Sequence, residues 1–200
     1  MRKVTSQAAL DALYEAPVEL AIRKVARQLT PLYQRWIEGA RFCVLSTVGP
    51  NGVHGTPRGD DGPVVRIADE KTIHMPDWRG NNRLDALRDI VHDGRVALLF
   101  LVPGSKTTVR VNGRAFLTDD EPLRRSFARK TMLPATVIVI EVDEVFTQCA
   151  KALMRSGLWS RDDAETVPTV GEILEDMTNG DVEAKPYDAS YVENAKPRMW

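Results

Sequence analysis

The N-terminal part of the chain has the apolar spacing of helices. Over residues 5–38, apolar side chains recur at intervals of three and four residues, which places them on one face of a helix. The first apolar stripe is formed by Val18, Ile22, Val25 and Leu29. Thr30 and Pro31 then interrupt it, because a threonine cap followed by a first-turn proline begins a new helix. The sequence therefore predicts helical structure over 5–38, with a new helix starting at Pro31.

From residue 41 onward, the pattern changes to short segments rich in β-branched and apolar residues, which is typical of strands. The predicted strands are 42–48, 53–57, 63–67, 72–75, 95–102, 107–117 and 136–146. The stretch 49–52 (Gly-Pro-Asn-Gly) is a strong turn signal between the first two, and Gly113 predicts a bend in the sixth. Turns join most of these strands, and this order favours an antiparallel barrel over a doubly wound parallel sheet.

Helical patterns occur at a few joints between the strands and near the C-terminus. The first of these predicted helices opens at residues 80–82 (Gly-Asn-Asn), and apolar side chains follow on one face at Leu84, Leu87 and Val91. Further helices are predicted to begin near residue 119 and to cover 148–158 and 170–177.

These patterns divide the chain into three parts. Residues 1–30 form an N-terminal helical arm and residues 31–160 form the predicted barrel domain. Residues 161–200 are acidic and rich in turn-forming residues, so we interpret them as a C-terminal arm rather than a second domain.

Charge and composition narrow the classes of function. The 27 basic and 28 acidic residues give a net charge of −1, which argues against nucleic-acid binding, because such proteins usually carry a basic excess. The longest apolar run, 96–102, is far shorter than the about 20 residues of a membrane span. No apolar stretch follows the charged N-terminus, so no secretory signal is predicted. The two cysteines form no C-x-x-C motif, and a reducing cytoplasm is the predicted location.

The familiar motifs of catalysis and metal binding are absent. The chain has no dinucleotide-binding glycine motif, no P-loop, no zinc-protease motif and no nucleophile elbow. Its three histidines, His54, His74 and His92, are far apart and share no ligand spacing, so we predict no metal site.

Several cations stand at positions where a phosphate could bind. Arg58 ends a predicted strand beside a glycine, and Arg66 is the one charged residue in an apolar stretch. Arg83 falls in the first turn of the predicted helix, where a cation opposes the helix dipole unless an anion binds there. Two interpretations stay open: Arg83 binds a phosphate, or it is a solvated side chain that pairs with Asp77 or Asp85.

Two further sets of polar side chains share a face. Thr108 and Arg110 lie on the same face of a predicted strand, which is either an exposed polar face or part of a site. Lys151 and Arg155 lie one helical turn apart, and Trp159 follows one turn later. This second set either clamps a planar anionic ligand or forms a charged helix face that the tryptophan anchors to the core.

The order of these motifs resembles a known family. The runs 56–60 (Thr-Pro-Arg-Gly-Asp), 65–67 (Val-Arg-Ile), 80–84 (Gly-Asn-Asn-Arg-Leu) and 109–113 (Val-Arg-Val-Asn-Gly) resemble the pyridoxamine 5′-phosphate oxidase-like family of FMN-binding split barrels. The run 149–156 is similar to an uncharacterised bacterial branch of that family. The resemblance implies a mainly β fold with helical additions, a six-stranded antiparallel split β-barrel, and an obligate homodimer with FMN bound at its interface.

The resemblance also implies which residues bind the phosphate end of FMN. By position in the matching motifs, Asn82 and Arg83 would hold the phosphate. Arg58 and Arg66 would lie along the ribityl chain and the phosphate.

Other positions would contact the rest of the cofactor. His74 and Met75 fall where the next strand of the family passes the cofactor, and Thr108 and Arg110 would approach the flavin from the long strand. Three residues would close the site, either from the same chain or from the partner subunit: Lys151, Arg155 and Trp159.

The sequence departs from the family at two places. The oxidase has a C-terminal segment that recognises its pyridoxal substrate, and nothing after Ser160 matches it. The family's Ser-Arg-Lys at the phosphate helix is Asn82-Arg83-Leu84 here, with one cation fewer. Pyridoxamine phosphate is therefore not the substrate that we expect.

The resulting hypothesis is an FMN-dependent oxidoreductase that acts on an unknown small molecule, with hydride passing through flavin N5. A non-catalytic flavin-binding redox sensor or FMN store is an alternative, and so is a deazaflavin-dependent reductase. The weakest alternative is a barrel that binds haem or has a purely structural role. The chemistry would belong to the cofactor, so the sequence predicts no catalytic residue of its own.

Overall fold

A computed structural model describes residues 1–199 of the chain, except for the side chain of Arg198. The strands are β1 (Phe42–Gly49), β2 (Gly52–Gly59), β3 (Arg66–Ile67), β4 (Thr72–Asp77), β5 (Arg95–Leu101), β6 (Thr108–Thr118) and β7 (Thr136–Gln148). The helices are α1 (Gln7–Asp11), α2 (Glu19–Arg23), α3 (Pro31–Glu38), α4 (Asp85–His92), α5 (Glu121–Arg125), α6 (Lys151–Ser156), α7 (Val170–Met177) and α8 (Ala184–Ala195). Short 3₁₀ turns cover Ala164–Thr166 and Lys196–Arg198.

All strands belong to one antiparallel sheet, in the order β2-β1-β5-β6-β7-β4-β3. This confirms the mainly β, antiparallel architecture with helical additions. The sheet has seven strands, whereas the resemblance implies a barrel of six, and the two-residue β3 is the shortest of them. The six-stranded barrel stays a prediction. None of the helices that the structure describes has both the length and the apolar character that crossing a membrane requires.

The core lies on the inner face of the central strands. Along β5, buried side chains alternate with partly exposed ones, as the two-residue period of a strand requires. Its neighbours follow the same rule, and β7 is buried on both faces from Val137 to Ile140. Fully buried side chains of these strands include Leu98, Phe100, Val109, Val111, Ile138 and Ile140.

The bend predicted at Gly113 is present. The pairing of β6 with β7 shifts its register between Asn112 and Gly113. A Cβ atom at Gly113 would lie 2.0 Å from the backbone oxygen of Glu141. Only glycine allows the two backbones to approach this closely, so the shift is built into the sequence.

The prediction of helical structure throughout 5–38 is wrong for two stretches. Residues 12–18 and 24–30 lie outside α1, α2 and α3. In the second stretch, Ala26 exchanges backbone hydrogen bonds of 2.9 and 2.8 Å with Val145, and the Leu29 N–H donates to Glu70 O at 2.7 Å. These bonds to the sheet replace helical ones, which local spacing cannot reveal.

The apolar stripe predicted for this region is therefore not buried as a unit. Leu29 is buried, whereas Val18 and Ile22 are exposed. The new helix at Pro31 is confirmed: Pro31 is the first residue of α3, and the Thr30 hydroxyl accepts a hydrogen bond from the Tyr33 N–H.

Helix α4 is fixed to the sheet through one buried carboxylate. Asp89 is 4% exposed and accepts hydrogen bonds of 2.6 Å from the Thr47 hydroxyl and from Nδ1 of His54. The bond from Thr47 and then the bond from His54 lower the pKa of Asp89. Because Ala86 and Leu87 are buried as well, the start of α4 has a fixed position against the sheet.

The Asp89→Ala substitution is expected to destabilise the protein by about 1–3 kcal/mol, because it leaves the buried Thr47 hydroxyl without a partner. The matched control is Arg88→Ala, at an exposed position of the same helix, with an expected effect within about 0.5 kcal/mol. Urea unfolding followed by circular dichroism measures both. Equal effects of the two substitutions would contradict the assigned role.

The stabilisation by Asp89 is also expected to depend on pH. A carboxyl group whose pKa is lowered by folding stabilises the native state above its ordinary pKa, here 3.8, and loses this contribution as the pH falls through the folded value. The difference in the free energy of unfolding between wild type and Asp89→Ala should therefore become smaller as the pH is lowered below about 4. Urea unfolding of both proteins over a pH series measures it, and a constant difference would refute the expectation.

Candidate functional site

A cavity of about 840 Å³ lies where the two ends of the sheet approach each other. Its wall comes from the end of β2 (56–60), the end of β4 (75–77), the loop 78–84 with the start of α4, and the segment before β7. Met199 contributes to the wall from the C-terminal arm. The volume falls within the about 300–1,000 Å³ of small-molecule sites, so we take this cavity as the candidate site.

An ion pair brings the two ends of the sheet together. β2 is the first strand of the sheet and β4 is the sixth, yet Nη1 of Arg58 on β2 lies 2.6 Å from Oδ1 of Asp77 on β4. The side chains are only 18% and 11% exposed. The sheet therefore curves until its first and sixth strands meet through side chains.

A second set of contacts supports this junction. Nε1 of Trp78, just after β4, donates to Oδ2 of Asp60, just after β2, at 3.1 Å. Arg129 forms ion pairs with Asp60 and Asp61 and lies 5.5 Å from the centre of the Trp78 ring. The hydrogen bond from Arg129 is the main reason why the pKa of Asp61 is lowered.

Two buried polar atoms at the cavity have no partner among the described residues. They are Nε of Arg58 and Oγ1 of Thr136, and both residues belong to the cavity wall. Buried polar atoms are nearly always hydrogen-bonded in proteins. Both atoms have almost no accessible surface, so they lie behind the cavity wall and do not face a ligand within it.

The prediction that Arg83 lies in the first turn of a helix is wrong. α4 begins at Asp85, and Asn82 and Leu84 have φ values of 60° and 61°, in the left-handed region that helices exclude. Arg83 therefore lies in the loop, 77% exposed, and pairs with Asp85. Of the two interpretations of its position, the pairing with Asp85 is present, and the argument from the helix dipole does not apply.

Four of the residues proposed from the sequence share this cavity: Arg58, Met75, Asn82 and Arg83. Arg66 does not line it, because its guanidinium group stacks on Phe127 at 3.7 Å and donates to the Ser126 hydroxyl at 2.6 Å. His74 lies opposite Arg66 in the pairing of β3 with β4. Burial of the imidazole, and then the positive charge of Arg66, lower the pKa of His74.

The remaining proposed residues lie outside the cavity within one chain. Thr108 is buried at the start of β6, and the Arg110 guanidinium group lies 6.0 Å from the centre of the Phe146 ring. Lys151 and Arg155 are exposed on α6, and Nε1 of Trp159 donates to the Ser105 carbonyl at 2.7 Å. Their contacts with a cofactor stay predictions.

Several residues of the site were missed by sequence reasoning. Thr136 is an ordinary strand residue by pattern, Asp77 was considered only as a partner of Arg83, and Met199 lies far along the chain. Arg79 stands in the same loop as Asn82 and Arg83, and this nearness in sequence was the one signal that pointed to it.

Other reactive groups offer no competing site. Burial raises the pKa of the Cys43 thiol to about 12, so the thiol is unreactive at neutral pH. Within residues 1–199, no group of three or more histidine, cysteine, aspartate or glutamate side chains is arranged to hold a metal ion.

Comparison with known proteins places the sheet and the cavity within one family. The family model described as pyridoxamine 5′-phosphate oxidase matches residues 29–149. No curated protein matches the sequence.

Several solved structures are similar to this chain. A histidine-to-alanine variant of HupZ from Group A Streptococcus is 18% identical, with a TM-score of 0.50, over 60% of this chain and 99% of that one. An FMN-binding protein from Syntrophomonas wolfei is 16% identical over 59% of this chain and 90% of its own, with a TM-score of 0.44. An FAD-binding protein from Mycobacterium smegmatis is 14% identical over 62% of this chain and 97% of its own, with a TM-score of 0.39.

Removal of Asp77 is expected to destabilise the junction between β2 and β4. The Asp77→Ala substitution leaves the largely buried Arg58 without its counter-charge, which costs about 3 kcal/mol of unfolding free energy. The matched control, Asp85→Ala, breaks the exposed pair with Arg83 and should cost about 1 kcal/mol or less. Chemical denaturation compares the two variants, and a control that is as unstable as Asp77→Ala would refute this assignment.

Proposed function

The chain belongs to the pyridoxamine 5′-phosphate oxidase family, and on that premise we propose that it is an FMN-binding flavoprotein. We further propose that it works as an FMN-dependent oxidoreductase on a small molecule. The observation that carries the proposal is the cavity whose wall brings together Arg58, Asn82 and Arg83, the residues that the family motifs assign to the phosphate end of the cofactor.

The residues at the cavity fit a phosphorylated ligand. A phosphate group needs N–H donors and positive charge, and the wall offers arginine side chains and the Asn82 amide. Apolar side chains, among them Val64, Met75 and Leu87, supply the kind of surface that a flat ring system contacts.

The chain's own side chains would bind and orient the cofactor. Flavin, when bound, supplies hydride transfer at N5. The ion pair between Arg58 and Asp77 holds the guanidinium group in place, and the fixed start of α4 positions Asn82 and Arg83. No protein nucleophile or base is required by this chemistry.

In this proposal, the protein is a homodimer and the partner subunit completes the site. Thr108, Arg110, Lys151, Arg155 and Trp159 lie outside the cavity of their own chain. A second copy that brings its own set to this cavity would reconcile the family assignment with their positions.

The absorption spectrum of the protein purified without added cofactor tests the proposed function. The visible bands of a bound flavin are expected, and mass spectrometry of the released cofactor should identify FMN rather than FAD or a deazaflavin. Addition of NADPH or another donor without oxygen should bleach the bands, and air should restore them. Bands that no donor bleaches would indicate a binding module without turnover, and no binding in an excess of FMN would overturn the proposal.

The proposed dimer has a separate test. Sedimentation equilibrium at micromolar protein should give twice the chain mass of 22.3 kDa. A species of single-chain mass with full flavin occupancy would contradict a site shared between subunits.

A further inference from the structure

Two ion pairs join four of the charged side chains on the cavity wall to one another. The wall carries six charged side chains: Arg58, Arg79, Arg83, Asp60, Asp77 and Asp85. Arg58 is paired with Asp77 and Arg83 with Asp85. These two arginines therefore contribute little net positive charge to the cavity.

The third carboxylate is also occupied. Asp60 accepts a hydrogen bond from Trp78 and forms an ion pair with Arg129, which does not itself line the cavity. Asp60 is therefore not available to neutralise another cation of the wall.

Arg79 is the exception among these cations. In the part of the chain that the structure describes, the Arg79 side chain is exposed and takes part in no ion pair or side-chain hydrogen bond. Its guanidinium group can offer all five N–H donors and a full positive charge to a ligand. Arg83 would first have to leave Asp85 to do the same.

The neighbouring loop supplies further donors. Oδ1 of Asn81 accepts a hydrogen bond from the Arg83 N–H at 3.1 Å, and the NH2 group of the same amide is a further donor in this loop. Asn82 also lines the cavity. Arg79 and the two asparagines lie within four consecutive positions and line the same cavity.

We infer that Arg79 is the side chain that selects a phosphorylated ligand at this site, by binding its phosphate monoester directly. The inference rests on the proposed FMN function and adds the residue that separates FMN from unphosphorylated riboflavin. Arg83, held by Asp85, then has a secondary role in this selection.

The test compares FMN with riboflavin, because the two ligands differ only in the phosphate group. Titration followed by flavin fluorescence gives Kd for both ligands with wild type, Arg79→Ala, Arg83→Ala and Arg88→Ala. Arg88 is the matched control, since it is an exposed arginine on α4 that does not line the cavity.

Arg79→Ala is expected to raise Kd for FMN by about tenfold or more, as for the loss of a charge-assisted hydrogen bond, and to leave Kd for riboflavin unchanged. Arg83→Ala should have a smaller effect on FMN, and Arg88→Ala should have none. Thermal melts without ligand show whether each variant is folded.

The outcomes that would overturn the inference are distinct from failure of the proposed function. Wild type that binds neither ligand overturns the function and this inference with it. Wild type that prefers FMN, with the same preference in Arg79→Ala, overturns the inference alone. Equal weakening of both ligands by Arg79→Ala would make Arg79 a structural residue, and loss of the preference only in Arg83→Ala would assign the phosphate to Arg83. Either result also rejects the inference.

Discussion

The ion pair between Arg58 and Asp77 connects parts of the sheet that are far apart in the strand order. Arg58 ends β2 at one edge, and Asp77 ends β4, the sixth strand. Because both side chains are largely buried, neither charge is well solvated, and each depends on the other for compensation. The ends of β2 and β4 form two sides of the cavity wall, so the geometry of that part of the site depends on this contact.

The site also depends on a fixed connection between β4 and β5. The loop 78–84 supplies two arginines and two asparagines to the cavity wall, and it is held at both ends. At one end Trp78 bonds to Asp60, and at the other α4 is fixed by the buried Asp89. The left-handed residues Asn82 and Leu84 allow the chain to turn sharply between these two anchors. A loop fixed in this way can present donors to a ligand with little loss of conformational entropy on binding.

The family membership and the distribution of charges on the cavity wall both support a phosphorylated ligand. The family motifs point to a flavin phosphate at Asn82 and Arg83. The pairing of charges along the wall shows which cation is free to meet an anion, and this is Arg79 among the cavity residues that the structure describes. Both the motifs and the charge pairing point to the loop 78–84, and they differ only in which arginine would meet the phosphate. That difference is a consequence of Asp85, which lies two residues after Arg83 and pairs with it.

Much of the local structure was already determined by the sequence. The strands, the cap at Thr30 and the bend at Gly113 follow from residue period, capping and the lack of a side chain, all of which act over a few residues. The family motifs identified four residues of the cavity, Arg58, Met75, Asn82 and Arg83.

Tertiary structure alone decided that residues 24–30 bond to distant segments instead of forming a helix. It also decided that Arg58 meets Asp77 while Arg66 stacks on Phe127. These choices depend on which distant segments the curved sheet brings within a few ångströms, and a pattern of neighbouring residues carries no information about such distances.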